Sequence, residues 1–541
     1  MVVKGNIVDI LNRKIFKGEV VVENDRITDI RNSNHQIENY IIPGFIDAHI
    51  HIESSMLIPS EFAKIAVTHG TVATVSDPHE IGNVLGVEGV EYMIENGNQV
   101  NFKFNFGAPS CVPATTFETA GAEITSAEIR YLLEKPEIKY LAEMMNWPGV
   151  LYDDAVVYEK IKTAQELEKP IDGHAPGLRG EQAEQYIKAG ISTDHECFTA
   201  EEARDKLKHD MKIAIREGSA AKNFEALVEL FSERSEMLMF CSDDKHPDNL
   251  EEGHINQLVG RALAKGHNLF DVLHAACIAP IEHYKLEVGS LREGDFADFI
   301  VTRDIKNFLI DQTFINGELV AEQGKSLISS VPVKPINNFN CSPISASDLS
   351  VKAEGDRMNV IEALDGQLIT NTIIADVQFD SKGNVVSDTA KDHLKFVVVN
   401  RYQKAKPSIG FIKNFNLKEG AIASSVGHDS HNILAVGVDD ESLAKAINLI
   451  IKSKGGVSAV GQGNEEVLPL PIAGIMSDSD GYEVAKAYTK IDKFSKQLGS
   501  TLNSPYMTLS FMALLVIPQL KLSDLGLFDG EKFKFKRLFD V

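Results

Sequence analysis

A regular alternation of short apolar runs and amphipathic stretches between residues 44 and 284 restricts the fold more than any other feature of this sequence. Eight runs have the length and β-branched content of buried strands: 45–52, 71–77, 101–107, 138–145, 170–175, 191–196, 211–217 and 237–243. Seven intervening segments, and one after the last run, have helical spacing. Eight strand–helix units in about 240 residues predict a (β/α)8 barrel of the TIM type. An open doubly wound sheet is the main alternative, but no GxGxxG follows the first strand to favour it.

The flanks of the barrel segment have a different pattern. Residues 1–43, and later the segment GSLREGDFADFIVTRDIKNFLIDQTFINGELV (289–320), alternate apolar and polar side chains as short strands do. We predict that residues 1–43 and 285–328 form one composite β-sandwich domain beside a barrel of residues 44–284. Residues 329–349 are rich in Ser, Pro and Asn and are predicted to be a linker. Residues 350–541 are predicted to form a C-terminal α/β domain, with strands in KFVVVNRY and NILAVGV and a helix in ESLAKAINLIIKSKGG.

The charge balance restricts the partners. The chain has 54 Lys and Arg against 78 Asp and Glu, a net charge of -24. Nucleic-acid binding depends on clustered basic side chains that release phosphate counterions, so we expect no nucleic-acid partner. A small, neutral or cationic substrate fits this composition better.

The cysteines and the apolar segments indicate the compartment. The five cysteines include no CxxC pair, which favours a reducing environment over a disulfide scaffold. The N-terminus lacks the long apolar core and small-residue cleavage site of a signal peptide. The apolar run 507–518 is too short to cross a bilayer. We therefore expect a cytoplasmic protein without a membrane partner.

Side chains able to bind metal follow most of the predicted barrel strands. In a TIM-type barrel the C-terminal ends of the strands build the active site. The ends of strands one, two, four, five, six and eight carry His49 and His51, Asp77 and His79, Glu143, His174, His195, and Asp243 and Asp244. Strands three and seven offer at most Ser110 and Arg216. So many ligand-type residues at strand ends are difficult to explain as core filling.

Each of these residues also has a purely structural interpretation. The HxH of His49 and His51, taken alone, fits a buried histidine pair equally well, and His174 and His195 could be capping or core histidines. His79 lies in SDPHE, which suits a loop as well as a substrate contact. Glu143 is harder to explain, because a carboxylate on a buried strand costs several kcal/mol unless it is paired or bound to metal.

Taken together, these residues predict a metal centre. His49, His51, Glu143, His174, His195 and Asp243 supply enough ligands for two divalent metal ions, with Glu143 placed to bridge them. Imidazole and carboxylate ligands suit zinc, iron or manganese. Two such ions sharing a water would lower its pKa from about 15.7 toward about 7, which provides hydroxide at neutral pH. The predicted chemistry is hydrolysis.

Several motifs resemble a known family. PGFIDAHIH after a small sheet, and the later GxLxxGxxADFxV, resemble the amidohydrolase superfamily. A narrower set resembles its adenine deaminase family: HIESSM, TVSDPHEIGNVLG, LAEMMNWPGV, DGHAPGL, STDHE and CSDDKHP in the barrel, and RYQ, GHDSHN and VGQGNEEVLPLPIAGIMSD in the C-terminal region. The resemblance covers nearly the whole chain. It implies hydrolytic deamination of adenine to hypoxanthine and ammonia in purine salvage, two divalent metal ions (Mn or Fe, with Zn as a further candidate), and a homo-oligomer, commonly a dimer.

The resemblance also implies roles for individual residues. His49 and His51 would hold the buried metal and His174 and His195 the second. Glu143 would bridge them, in the place where many relatives have a carboxylated lysine. Asp243 would be the strand-eight ligand and proton shuttle, with Asp244 as the alternative. The catalytic residues are thus Asp243 and Glu143, and His79, Asp244 and His246 are candidates for contacting the purine.

Other hypotheses predict different results. A dihydropyrimidinase-like cyclic amide hydrolase would use the same barrel, and a non-catalytic, metal-stabilised binding protein would use the C-terminal domain. The cysteine-ligated zinc deaminases need a PCxxC motif that this sequence lacks. Adenosine deaminases carry HAGE where this chain has HAPG. A polar set in the C-terminal region, His428, Asp429, His431 and Gln462, could close over the site, support a dimer or cap loops.

Overall fold

The structure is a computed structural model that describes residues 1–539. The chain begins with four strands of a sheet: β1 (Val2–Asp9), β2 (Lys14–Glu23), β3 (Arg26–Asn32) and β4 (Tyr40–Pro43). β1 and β2 pair antiparallel, as do β2 and β3, whereas β4 lies parallel to β1. The chain then passes directly from β4 through Gly44 into the barrel.

Eight parallel strands form the barrel. They are β5 (Phe45–Ile50), β6 (Thr71–Ser76), β7 (Lys103–Ala108), β8 (Ile138–Met144), β9 (Ile171–Gly173), β10 (Thr193–Asp194), β11 (Lys212–Arg216) and β12 (Leu238–Cys241). Every residue of β5 and β6 is buried, as expected for parallel strands covered on both faces. The eight predicted strands are all present, and a parallel bridge between Ile50 and Asp243 joins the end of the eighth to the first, which confirms the barrel and excludes the open-sheet alternative.

Backbone hydrogen bonds close the ring at two places. The Ser192 N–H donates to the Ile171 carbonyl at 2.9 Å and joins β9 to the segment of β10. The Asp243 N–H donates to the His49 carbonyl at 2.9 Å, and the His51 N–H donates to the Asp243 carbonyl at 3.4 Å, so that the end of β12 lies beside β5. The first and eighth strand ends therefore meet, and with them their polar side chains.

Helices cover the outside of the barrel. They are α1 (Pro59–Ala66), α2 (His79–Leu85), α3 (Val87–Gly97), α4 (Ser126–Leu133), α5 (Trp147–Leu151), α6 (Ala155–Glu166), α7 (Gly180–Lys188), α8 (Ala200–Leu207), α9 (Phe224–Leu227), α10 (Phe231–Arg234), α11 (Pro247–Glu252), α12 (Ile255–Ala264), α13 (Leu269–Leu273) and α14 (Ala279–Tyr284). Several begin at side chains that accept from free backbone N–H groups: Thr125 caps α4, Asp154 caps α6 and Thr199 caps α8. Short 3-10 turns lie at Ile52–Ser55, Val67–His69, Val228–Leu230, Ser235–Met237 and Ala346–Leu349, and a π-helical turn lies at His274–Ile278.

After the barrel the chain returns to the first sheet. The strands β13 (Phe299–Thr302), β14 (Ile310–Ile315), β15 (Glu318–Glu322) and β16 (Lys325–Ser326) extend it to eight strands in the order β16-β15-β14-β13-β4-β1-β2-β3. β13 pairs antiparallel with β4, so strands from both sides of the barrel share one sheet. The boundaries assigned to the domains remain a prediction.

The C-terminal region is built on a second eight-stranded sheet. Its strands are β17 (Arg357–Ala363), β18 (Thr370–Asp376), β19 (Leu394–Val399), β20 (Ser408–Lys413), β21 (Ala421–Ser424), β22 (Ile433–Gly437), β23 (Gly456–Gly461) and β24 (Asn464–Pro469). Three helices accompany it, α15 (Asp440–Ser453), α16 (Gly481–Gln497) and α17 (Pro505–Phe511). A small sheet of β25 (Leu520–Ser523), β26 (Gly526–Asp529) and β27 (Lys534–Phe535) follows.

The C-terminal region packs directly on the barrel. One cluster of buried apolar side chains runs from barrel residues such as Ile50 and Phe62 to Leu368, Met476 and Leu514. The connecting segment also touches both sides: Asn338 Nδ2 donates to the Gly121 carbonyl at 3.2 Å, and the Asn340 N–H donates to the Arg401 carbonyl at 2.7 Å. Within residues 1–539 no helix combines the length and apolar character needed to span a bilayer.

Candidate active site

The six predicted ligands converge at the C-terminal end of the barrel. His49 lies in β5 and His51 directly follows it, Glu143 lies in β8, and the other three follow β9, β10 and β12: His174, His195 and Asp243. All six side chains are buried. His49 and His51 share a face of the strand because alternate strand residues point the same way, and their Nε2 atoms lie 3.2 Å apart.

The carboxylate of Glu143 occupies the centre of this cluster. Its Oε1 lies 3.4 Å from His51 Nε2. Its Oε2 lies 2.7 Å from His174 Nδ1 and 3.1 Å from His195 Nε2. Burial opposes ionisation of Glu143, yet the neighbouring His174 and His195 hold its pKa well below the ordinary value. One carboxylate therefore faces two separate groups of imidazoles, one on each oxygen.

Of the two carboxylates after strand eight, Asp243 lies beside the histidines. Its Oδ1 is 3.2 Å from His51 Nε2 and 3.7 Å from His49 Nε2. Its backbone has φ of 54°, a left-handed conformation that turns the chain at the end of β12. Asp244 instead accepts a hydrogen bond from Ser54 Oγ at 2.5 Å and lies 3.6 Å from His428 Nε2.

The donor set fits divalent metal ions. Ligand atoms of His49, His195 and Asp243, and those of Glu143, His174 and His195, lie within 4.8 Å of one another in two overlapping groups. Within residues 1–539, the buried nitrogens without a hydrogen-bond partner include His49 Nδ1, His174 Nε2 and His195 Nε2. Burial and the adjacent His195 lower the pKa of His49, which favours the neutral imidazole that binds metal.

His79 and Asp244 line the same enclosed space as five of the six predicted ligands, and His49 lies behind that lining. His79 begins α2, and its Nδ1 lies 2.9 Å from Asp77 Oδ2 and 3.5 Å from Glu143 Oε1. Its Nε2 lies 3.6 Å from both Glu80 Oε1 and Asp429 Oδ1. His79 thus serves the turn after β6 and also faces the site.

His246 lies elsewhere. Pro247 begins α11 immediately after it, and the imidazole packs against Tyr488 of α16 with ring centroids 4.6 Å apart. Its backbone N–H donates to Ser219 Oγ at 2.8 Å. Burial lowers the pKa of His246 to about 3. His246 is not among the residues that line the enclosed space.

The C-terminal region forms the roof of the site, which we define as Leu368, His428, Asp429, Phe511 and Leu514. Glu80 of the barrel is hydrogen-bonded to this roof. Its Oε1 pairs with His428 Nδ1 and its Oε2 pairs with His431 Nε2. Of the predicted polar set, His428 and Asp429 therefore close over the site and His431 supports them. Gln462 instead donates to Glu419 Oε1 at an exposed turn.

Sequence reasoning named Arg216 at the end of strand seven without giving it a role, and it missed Glu196, which lines the site. Arg216 at the end of β11 is 1% exposed and donates from Nη1 to Asp243 Oδ2 at 2.6 Å. The same guanidinium pairs with Glu196, whose Oε1 lies 3.5 Å from His195 Nε2. An arginine at the end of an apolar strand was the available signal. Because a buried arginine needs carboxylate partners, it could have indicated acidic side chains nearby.

Two family models match the chain. The amidohydrolase family matches residues 40–320, and the adenine deaminase C-terminal domain matches residues 367–534. Similar curated proteins are the adenine deaminase of Salinibacter ruber, 53% identical over 98% of both chains, and that of Sulfurovum sp., 55% identical over 99% of both. The adenine deaminase of Methanosarcina acetivorans is 51% identical, again over 99% of both chains.

Proposed function

The chain belongs to the adenine deaminase family of the amidohydrolases, and from this premise we propose that it hydrolyses adenine to hypoxanthine and ammonia. Identity of about 50% extends over the barrel and the C-terminal region alike. Neither alternative, a cyclic amide hydrolase or a non-catalytic binding protein, is favoured by these relatives.

One observation carries the chemical part of the proposal. The Glu143 carboxylate lies between His51 on one oxygen and His174 and His195 on the other, with Asp243 alongside. Such a buried set of carboxylates and imidazoles suits divalent cations, which would compensate the buried negative charge. His49 and His51 would hold one divalent ion and His174 and His195 a second, with Glu143 as the shared carboxylate and Asp243 as the ligand from strand eight.

Ligand chemistry limits the choice of ions. Nitrogen and carboxylate-oxygen ligands without thiolates suit Mn, Fe or Zn, and the family resemblance favours Mn or Fe. When bound, such ions supply a water that ionises near neutral pH, since its pKa falls from about 15.7 to about 7.

The protein's own residues direct the protons. The water oxygen bonds to C6 of adenine, the C6–N6 bond breaks, and one of the two water protons ends on N1, so that the product is hypoxanthine. Asp243 accepts a proton from the water and delivers it to N6, which leaves as ammonia. Arg216 holds the other oxygen of Asp243 at 2.6 Å and keeps the carboxylate oriented. Glu143 assists in proton transfer, and His79 and Asp244 contact the purine from the wall.

Replacement of a proposed ligand tests the proposal. We expect Glu143→Ala and His174→Ala to lose bound metal and adenine turnover together, measured by elemental analysis and ammonia release on the same samples. His209→Ala, a barrel histidine outside the enclosed space, is the matched control and retains both. Full metal content with undiminished turnover in Glu143→Ala would rule out the proposed centre.

A further inference from the structure

The imidazole of His428 is held at the roof with one nitrogen unused. The residue is 3% exposed, and its Nδ1 is hydrogen-bonded to Glu80 Oε1. Its Nε2 has no hydrogen-bond partner within residues 1–539, although Asp244 Oδ1 is 3.6 Å away. Buried polar atoms in folded proteins are nearly always hydrogen-bonded. The free nitrogen at the wall of the enclosed space is therefore available to a ligand.

Three contacts fix this ring before any ligand binds. Glu80 holds Nδ1, and the second oxygen of Glu80 is itself held by His431 Nε2. The ring stacks on Phe511 with centroids 5.2 Å apart and an interplanar angle of 24°. Because a group that is already oriented loses little entropy on binding, His428 Nε2 is preorganised for recognition.

The two halves of the site have different chemistry. The floor is made of barrel carboxylates and imidazoles, whereas the roof combines His428 and Asp429 with apolar Leu368, Phe511 and Leu514. If adenine reacts at C6, that carbon has to lie against the floor. The opposite edge of the purine, which carries N3 and N9, then faces the roof, and apolar side chains suit the faces of its rings.

We propose that His428 Nε2 hydrogen-bonds the N3–N9 edge of adenine and makes His428 a specificity-determining residue, an inference that rests on the proposed function. The free base presents one acceptor nitrogen and one N–H on this edge. A nucleoside carries its sugar at N9, where the contact would be made. The position of His428 therefore favours the free base over the nucleoside.

Adenine analogues that replace one ring nitrogen by carbon at position 1, 3, 7 or 9 test the proposal. Inhibition constants are measured with the metal-loaded full chain and with His428→Ala. We expect the variant to bind adenine about tenfold more weakly. For the 3-deaza or the 9-deaza analogue we expect the inhibition constants of wild type and variant to differ less than about twofold. That analogue lacks the ring nitrogen that His428 would contact, so removal of the imidazole costs little further binding. The proposal would be overturned if His428→Ala weakened the binding of all four analogues equally. It would also be overturned if the effect of the variant disappeared only with the 1-deaza or the 7-deaza compound.

Two amide variants separate recognition from support of the roof. The amide of His428→Gln reaches the position of Nε2, whereas that of His428→Asn reaches the position of Nδ1 beside Glu80. We expect the glutamine variant to recover adenine binding better than the asparagine variant. The reverse order would mean that His428 acts only by holding Glu80.

The controls keep the two proposals apart. His393→Ala removes another imidazole of the C-terminal region, outside the enclosed space, and should leave all inhibition constants unchanged. Metal content should be the same in every variant. A wild-type protein that releases no ammonia from adenine would contradict the proposed function, whereas equal losses across the analogues would contradict only the role of His428.

Discussion

At the scale of single residues, the site is a dense arrangement of buried charge. Glu143 and Asp243 both lie within 3.5 Å of His51 Nε2, and Arg216 is paired with Asp243 and with Glu196. Charges in such an interior are stabilised only by one another or by bound cations. The orientation of each ligand therefore depends on neighbours that bind no substrate.

Arg216 offers a direct test of this dependence. Arg216→Met leaves the buried Glu196 and Asp243 without their shared cation, which we expect to cost about 3–5 kcal/mol of stability. The melting temperature and the adenine turnover should both fall. The drop in melting temperature should be larger in chelated than in metal-loaded protein, since bound cations compensate part of the charge.

A surface arginine provides the comparison. Arg204→Met breaks an exposed pair with Glu233 that contributes only about 0–1 kcal/mol. Equal effects of the two variants would contradict the importance assigned to the buried pair.

The sequence was sufficient to predict that these side chains lie close together, because barrel topology decides where they lie. Each of His49, Glu143, His174 and Asp243 is at the end of a strand, and the strand ends of a barrel meet. His428 could not be placed in the same way, because its contact with Glu80 joins residues 348 positions apart. A single sequence does not show that two residues so far apart along the chain lie in contact in the fold. The roles of these residues remain proposals.

At the scale of elements, helices outside the barrel keep its loops in place. The strands β9 and β10 have only three and two residues, so His174 and His195 lie on loops immediately beyond them. Lys206 of α8 supports both loops: it donates to the Ala175 carbonyl at 2.7 Å and pairs with Asp194, next to His195. The sequence analysis predicted longer strands, 170–175 and 191–196, that included both histidines.

Replacing Lys206 should therefore disturb the site from a distance. The side chain is 1% exposed and also pairs with Glu202 at 2.8 Å. Lys206→Met leaves two buried carboxylates unpaired, and we expect a loss of about 3–5 kcal/mol together with reduced metal retention during dialysis. Lys208→Met, at the end of the same helix and 68% exposed, should change neither quantity. Normal stability and metal retention in Lys206→Met would refute this role.

Lys521 of β25 ties the roof together and predicts a pH dependence. Its Nζ donates to the carbonyls of Leu368 at 2.6 Å and Phe511 at 2.9 Å, and burial lowers its pKa to about 7. In the unfolded chain a lysine titrates near pH 10.4, so between these values the unfolded state binds more protons. Stability should therefore rise with pH across that window, by up to about 1.4 kcal/mol per unit.

The comparison with Lys521→Met isolates this contribution. The melting temperature of the wild type minus that of the variant should be larger at pH 9 than at pH 6.5, as measured by differential scanning fluorimetry. A difference that stays constant or shrinks as the pH rises would show that Lys521 is charged in the folded protein throughout.

At the scale of the whole molecule, the barrel and the C-terminal region share one site. The space between floor and roof has a volume of about 20 Å³, enough for roughly one water molecule. We therefore expect the roof to move away from the barrel when adenine enters, as lids do in many enzymes. The sequence could not show that the C-terminal region covers the barrel site, because each region alone has the pattern of an α/β fold.

A clamp between the two regions should restrain that motion. Lys64 of α1 pairs with Glu61 at 2.9 Å and with Asp480 of the C-terminal region at 2.5 Å, and donates to Ser330 Oγ at 2.7 Å. We expect Lys64→Met to lower the melting temperature and to change the kcat and KM for adenine without altering metal content. Lys490→Met on α16, which breaks an exposed pair with Glu466 of β24, is the control. Unchanged kcat and KM in Lys64→Met would show that this clamp does not control the motion of the roof.

The central claim is that two divalent ions, held around Glu143, serve the hydrolysis of adenine. A titration of chelated protein with Mn(II), following ammonia release from adenine against metal bound per chain, tests it most directly. The account predicts no activity without metal, and activity that rises until two ions are bound per chain and then levels off. Full activity at one ion per chain, or in metal-free protein, would contradict it.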